Sequence, residues 1–289
     1  MDLRRLRLFL AVVDHGSFTA AAKAVHVAQP AVSLAVKDIE RQLGAALFVR
    51  SREGARLTPA GEALVPPARQ ALRDIATAAA AVAAVTGLVS GRLDIASLPT
   101  LAADPAAQLV GRYRKAHGGV TVHLTAPSDP AHLVDDVVSG AAEVGITEAG
   151  AASYGLVEHA IGDQELVAVM PRGATISKPL TARAFAREAL VVTEPGSSLR
   201  GALERFLAEA GREPLVAVET EQRDAIAPLV LAGAGAAILP SALAASVAAQ
   251  GAVVRRFRPS LRRTVVLVHR PSALSPAAAR FVDIALAAT

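Results

Sequence analysis

Residues 17–43, SFTAAAKAVHVAQPAVSLAVKDIERQL, decide how the rest of the chain is read. Val32, Val36, Ile39 and Leu43 recur at spacings of 4, 3 and 4, which puts them on one face of a helix running from Gln29 or Pro30 to Leu43. Burying that face leaves Gln29, Ala31, Ser33, Leu34, Lys37 and Arg41 on or near the other side. Pro30 falls in the first turn, where its missing N–H costs nothing. A shorter helix, 18–25, precedes it, capped by Ser17 or Thr19. Its Ala20-Ala21-Ala22 run lets another helix backbone come close, and His26-Val27-Ala28 forms the turn. Two short helices joined tightly, the second with polar side chains at an exposed start, make a helix-turn-helix.

The flanking residues extend this unit. Leu3, Leu6, Phe9, Leu10 and Val13 give an amphipathic helix over 3–14 that Gly16 ends. The basic-then-apolar start superficially resembles a leader peptide. Asp14 and His15 interrupt the apolar run and no small-residue cleavage site follows, so a cytoplasmic protein is expected. After Gly44, residues 46–49 read as a short strand, Glu53-Gly54 as a turn, and Arg56-Leu57 as the return. Arg50, Arg52 and Arg56 on this hairpin suit a phosphate backbone or a narrow minor groove. Arg50 has a structural alternative, pairing with Glu40.

Composition supports this placement. Hydrophobic residues make up 52% of the 289, enough for a large core, and no ~20-residue apolar run reads as a membrane span. Cysteine is absent, which excludes disulfides, thiolate metal sites and thiol redox sensing. Residues 1–58 hold nine Lys/Arg against five Asp/Glu, whereas the other 231 residues hold twenty-one of each. The whole positive excess of +4 lies in the first fifth of the chain, and a polyanion such as nucleic acid is the partner it favours.

The segment 21–64, AAKAVHVAQPAVSLAVKDIERQLGAALFVRSREGARLTPAGEAL, resembles the winged helix-turn-helix of LysR-type transcriptional regulators. The shared features are the small-residue run before the turn, Gln29-Pro30-Ala31-Val32-Ser33, Ile39-Glu40, Leu43-Gly44, Leu47-Phe48 with Arg50, and Leu57-Thr58-Pro59-Ala60-Gly61. The order of later elements also matches, so the resemblance spans the chain. It departs at Ala28, where the family usually has Ser or Thr; an Ala cap typically loses ~1 kcal/mol. The resemblance implies an α/β protein with an N-terminal winged helix-turn-helix (1–58), a linker and dimerisation helix (59–88) and a periplasmic-binding-protein-like effector domain (89–289). Its two α/β subdomains would be approximately 91–161 with 267–289, and 162–266. The implied partners are double-stranded DNA at an inverted-repeat operator, a small-molecule effector, further copies forming a dimer or tetramer, and RNA polymerase as a contact open to such a regulator. Ser17, Thr19, Gln29, Pro30, Ala31, Ser33, Lys37, Arg50, Arg52 and Arg56 are the candidate DNA contacts. Alone on a helix, exposed Gln, Ser and Lys would simply be solvated.

Leu64, Ala68, Ala71, Ile75, Ala78, Val82 and Val85 recur at alternating 4 and 3, a heptad seam of small residues along the linker helix, and Pro66-Pro67 sits early within it. Residues 87–91 read as a hinge. Beyond it, strands and helices alternate, which argues for parallel sheets with helices on their faces. Crossing strands are expected near 160–167 and 264–268, and LAGAGAAILP, 231–240, resembles the family's glycine turn before a buried strand. In such folds ligands sit between subdomains at strand ends and helix N-termini. By position the effector candidates are Thr100, Ser128, Thr147, Gly196 and Ser197. Hydroxyls and free N–H groups there suit a carboxylate or another small anion, though Ser and Thr at such places are also ordinary helix caps. Glu143 stands where the family usually has Asp.

No catalytic arrangement emerges. The seven histidines are scattered, Asp135 and Asp136 fall on different helix faces, and neither a GxSxG nor a phosphate loop is present. No enzyme activity, metal or cofactor is expected. The rival readings are a solute-binding protein, or an enzyme, built from the C-terminal half.

Overall fold

The computed structural model describes residues 2–51, 54–85, 91–175, 179–271 and 274–288, with the side chains of 50, 51 and 79–85 outside that description. The described residues gather into three hydrophobic cores. The first joins α1 (Leu3–His15), α2 (Phe18–Ala24), α3 (Gln29–Leu43), the hairpin of β1 (Phe48–Ser51) and β2 (Gly54–Leu57), and the start of α4 (Pro59–Val85). Asp2 caps α1 by accepting from the Arg5 N–H, and Gly16 ends it at φ 66°. Of the two expected caps of α2, Ser17 is the one used: its Oγ accepts from the Ala20 N–H at 3.1 Å, while Thr19 is exposed. Val32, Val36 and Ile39 are buried on α3, but Leu43 is 47% exposed, because the helix stops immediately afterwards at Gly44. Phe48 brings the hairpin into this core against Phe9 and Phe18, at ring separations of 5.4 and 5.5 Å. Glu40 Oε1 accepts from the Leu47 and Phe48 N–H groups and so fixes the wing to α3, while the Arg50 side chain expected as an alternative partner lies outside the described residues.

Thr58 explains the Leu-Thr-Pro-Ala-Gly signature. Its Oγ1 donates to the Ala46 carbonyl and accepts from the Gly61 N–H, starting α4 on the hairpin's edge. Gly61 is obligatory there, since a Cβ would collide with the Leu47 carbonyl. The helix runs through Pro66-Pro67 to Val85. The expected seven-residue seam divides in two. Leu64, Ala68 and Ala71 pack into this chain's own head, while Ile75 (44%) and Ala78 are exposed; the side chains of Val82 and Val85, and residues 87–90 of the expected hinge, lie outside the description. Leu64 near the start of α4 stabilises the head, and Ile75 and Ala78 further along are open to solvent.

The second half continues with β3 (Gly91–Ser97), α5 (Pro99–Leu101), a wide turn at 102–106, α6 (Ala107–Ala116), β4 (Val120–Thr125), α7 (Pro130–Ser139) and β5 (Val144–Glu148). The long β6 (Val157–Met170) leads to α8 (Ala182–Phe185), β7 (Leu190–Thr193), α9 (Ser198–Ala208), β8 (Val216–Thr220), α10 (Ile226–Leu231), β9 (Ala237–Pro240), α11 (Ser241–Ala249) and β10 (Val253–Arg255). The chain returns along β11 (Leu261–His269) to α12 (Pro276–Leu286). Strands pair in the order β10-β6-β11-β5-β3-β4, β9 also pairs with β6, and β7 pairs with β8 apart from them. The sheets are not purely parallel as expected. β3 is parallel to β4 and β5, but β11 runs antiparallel to β5 and β6, and β6 antiparallel to β9 and β10.

That mixture follows from β6 and β11 being the strands that pass between two cores. One core takes residues from 93–156 and 265–285, the other from 166–261. At the crossing, Gln164 faces Arg263 in register. The glycine turn before β9 is required sterically: at Gly235, φ 154°, a Cβ would sit 2.5 Å from the Ala189 carbonyl.

Candidate functional site

The exposed face of α3 is built by the burial of the other. Pro30, Ala31, Leu34 and Lys37 are exposed, and Leu34 at 62% is the most exposed large hydrophobic side chain of the helix. Gln29 Nε2 donates to Ser33 Oγ at 2.9 Å, which orders both side chains and leaves the Gln29 carbonyl oxygen and the Ser33 proton outward-directed groups. Arg41 pairs with Asp38, which also holds Arg5 at 3.2 Å. Ala28 supplies no side-chain cap. The loss is smaller than for an ordinary Ala cap, because Pro30 has no N–H and the Ala31 N–H already bonds the Ala28 carbonyl at 2.9 Å. Arg56 is exposed on β2 opposite Val49. Arg52 and the Arg50 side chain lie outside the described residues.

The second candidate site lies between the two C-terminal cores. Its floor is a buried guanidinium: Arg263 of β11 is 6% exposed and bonds three elements at once. Nε donates to Gln164 Oε1 at 3.0 Å, Nη1 to Ser198 Oγ at 2.7 Å, and Nη2 to Thr100 Oγ1 at 2.7 Å and to Gln164 Oε1 at 2.5 Å. Gln164 donates onward to the Asp104 carbonyl, and Ser198 donates to Glu148 Oε2 at 2.9 Å. Burial pushes the Arg263 pKa down to about 10, with Glu148 opposing the shift, so the group stays charged at neutral pH. Arg223 adds a second bridge, from Glu194 to the Ser128 carbonyl.

Beside this network a cavity of about 410 Å³ is lined by Asp129, Val134, Thr147, Glu148, Tyr154 and Gly196 among others. The N-termini of α7 and α9 both border it, capped by Asp129 and Ser197. Partial burial acts to raise the Asp129 carboxyl, but hydrogen bonds from the His132 N–H, the His132 ring and Ser128 hold it below its ordinary value. Thr147 is 1% exposed and its hydroxyl has no hydrogen-bond partner among the described residues.

Of the effector candidates, Thr147 and Gly196 line this cavity and Thr100 accepts from Arg263. Ser128 is exposed, with its hydroxyl on Asp129. Ser197 is turned inward: it is 1% exposed, caps α9 and bonds Thr193 at 2.6 Å, so the hydroxyl that reaches between the cores is that of Ser198. Arg263, Gln164 and Ser198 are not among the candidates read from the sequence. A usable signal exists in β11, where Leu261, Arg263 and Val265 alternate on the buried side; a charged residue at an inward register needs a buried partner.

Two family descriptions match the chain: "Bacterial regulatory helix-turn-helix protein, lysR family" over residues 3–62, and "LysR substrate binding domain" over 86–289. The chain belongs to the LysR family. It is a DNA-binding transcriptional regulator whose residues 86–289 form the family's effector-binding domain. Among relatives, the HTH-type transcriptional regulator TfdS of Cupriavidus pinatubonensis is 31% identical over 252 residues, covering 85% of this chain and 84% of that one. A full-length OxyR variant of Pseudomonas aeruginosa superposes with a TM-score of 0.78 at 22% identity, covering 100% of this chain and 94% of that one. Full-length CbnR, solved in complex with its target DNA, gives 0.69 at 25% identity, covering 100% of both. Among the described residues, this LysR-family chain has no helix long and apolar enough to cross a membrane.

Proposed function

We propose that α3 enters the major groove of an inverted-repeat operator and that the ordered Gln29–Ser33 pair, on its exposed face, carries the readout. Pro30 and Ala31 bring the helix start close to the bases, Ser17 and Thr19 lie along the flanking backbone, and Lys37 neutralises a phosphate. Arg50, Arg52 and Arg56 of the wing take the backbone or adjacent minor groove. Leu34, exposed on the same face, offers an apolar contact to a thymine methyl. The chain divides as residues 1–58, 59–88 and 89–289, and acts in the cytoplasm as a dimer or tetramer, with RNA polymerase as a promoter contact. Ile75 and Ala78, exposed on α4, belong to the surface through which two copies meet.

Mobility shift on the DNA upstream of the protein's own gene tests the head. Full-length protein is expected to bind, and Gln29→Ala with Ser33→Ala to lose at least about tenfold in affinity, about 1.4 kcal/mol. Lys37→Ala should lower the salt-dependence slope by about 1. Leu34→Ala should weaken binding to thymine DNA but not to the same DNA carrying deoxyuridine, which lacks only the methyl.

The effector, a small carboxylate or other small anion, is placed in the 410 Å³ cavity. Thr147 supports this, being a buried hydroxyl without a partner at the cavity wall. The helix N-termini and the nearby Arg263 charge favour negative charge there, and an anion would take the Ser198 hydroxyl over from Glu148. Regulation requires only that the ligand prefer one arrangement of the subdomains, and no turnover is part of this reading. Thermal shift against small carboxylates and other metabolites tests it: a ligand that stabilises the wild type and fails on Thr147→Val supports the site.

A further inference from the structure

Helix α7 touches both the cavity and the linker. Its first residues, with the Asp129 cap, Pro130 and Val134, form part of the cavity wall. Ten residues later it ends at Gly140, φ 77°, and the carbonyls of this last turn are held by arginines from elsewhere. Arg73, on the linker helix α4, donates from Nη1 to the Gly140 carbonyl at 2.6 Å. Arg270 donates from Nη1 to the carbonyls of Val137 and Ala142. Cations belong there, because the final carbonyls of a helix lack internal partners and carry the negative end of its dipole.

Arg73 is buried enough that its pKa falls to about 10, helped by repulsion from Arg270 and opposed by Glu143. Gln70 on the same helix accepts from its Nη2 at 2.8 Å and fixes the guanidinium. Gly140 leaves the room it needs, since a Cβ there would meet the guanidinium nitrogens at 2.5 Å. On its other side α4 belongs to the head: Val65, Ala68 and Leu72 pack in the head core, and Arg69 pairs with Asp14 of α1 at 2.6 Å. One turn of helix separates Arg69 from Arg73, so the head and Arg73 move as one body.

We infer that Arg73 is a positioning residue that fixes the DNA-binding head to the C-terminal turn of α7, so that occupancy of the cavity at the other end of α7 and the pose of the head share one equilibrium. This rests on the cavity being the effector site. The charged and polar side chains around the contact include Gln70, Arg69, Asp74 and Asp14 from the head side, and Arg92, Asp94, Asp136, Glu143 and Arg270 from the effector side.

The absence of native cysteine permits a direct measurement on the full-length chain. Spin labels at Gln42→Cys in the head and Val138→Cys on α7, both exposed, report the intrachain distance when labelled protein is diluted into unlabelled. The wild type is expected to give one narrow distribution by double electron–electron resonance. Arg73→Met should broaden and lengthen it, and Arg73→Lys should restore it in part. Ala131→Trp, which places bulk at the cavity, stands in for an occupant; it should shift the distance with Arg73 present and not in Arg73→Met. Should Arg73→Met fail to fold, Arg73→Gln is read in the same way. An unchanged distribution on losing Arg73 overturns the inference, and so does an Ala131→Trp shift of equal size in both backgrounds. Neither result touches the effector reading, which the Thr147→Val ligand screen decides separately.

Discussion

Two guanidiniums, Arg263 buried and Arg73 half-buried, sit at the two regions proposed to carry regulation, and burial drives the pKa of each down to about 10. Arg263, between the subdomains, bonds only side chains: Gln164, Ser198 and Thr100, from three different elements. Arg73, between linker and effector domain, bonds the main-chain carbonyl of Gly140. Side-chain acceptors can rotate to a ligand while the backbone stays in place, whereas a carbonyl is surrendered only when its helix moves. The first region is therefore adaptable and the second rigid. A sensor needs the former where the ligand enters and the latter where its position is transmitted.

The largest effect expected from this contrast is at Arg263. Arg263→Met leaves Gln164 and Thr100 without their donor, and a loss of about 2–4 kcal/mol in urea unfolding is expected. A loss below about 1 kcal/mol would mean the partners rehydrate easily, and the contrast would lose its energetic half. Next comes the junction. Gly140→Ala should cost about 1–2 kcal/mol, from the left-handed backbone plus the displaced Arg73. In an Arg73→Met background only the backbone share should remain; full additivity would show that the two groups do not press on each other.

Glu143 gives a smaller, pH-dependent effect. Burial pushes its carboxyl up, against hydrogen bonds from Ser275 and attraction to Arg73 and Arg270. A raised folded pKa means the folded state holds the proton more tightly than the unfolded one. The resulting stability is complete below the ordinary 4.5 and is lost as pH rises through the folded value. Glu143→Gln should remove that acid-side contribution from a stability–pH profile, and an unaltered profile would remove Glu143 from the junction's charge balance. Smallest is Thr147→Val. Replacing a buried, unpartnered hydroxyl by a methyl should leave melting unchanged or raise stability by up to about 1 kcal/mol, while abolishing any ligand contact made through that oxygen.

The head was legible because its signals are local. The 4-3 spacing of Val32, Val36 and Ile39, the Ser17 cap and Pro30 each act within a few residues of themselves. Even there, Leu43 is exposed and the first three residues of the α4 seam pack into the chain's own head, since apolar spacing names a buried face without naming what covers it. The cleft was legible only as positions. Thr100, Thr147 and Gly196 follow from strands ending beside helix starts, but the group that joins them, Arg263, meets Gln164 across 99 residues of chain. Ser197 and Ser198 look alike in sequence; which one caps and which one reaches out depends on one step of backbone direction. Arg73 and Gly140 carry no mutual pattern at all, because one is an arginine among many on a helix and the other contributes only a carbonyl.

The start of α3 has a consequence in time as well as in energy. Pro30 and the Ala31-to-Ala28 bond settle two of the first-turn donors, and the Gln29 N–H has no protein partner among the described residues. In free protein that amide should trade its hydrogen with water almost as fast as an unfolded peptide does. On the operator, a phosphate oxygen can accept from it, and the same amide should slow sharply. Deuterium uptake at one backbone position would then act as a clock for docking, with the DNA supplying a partner that the protein does not.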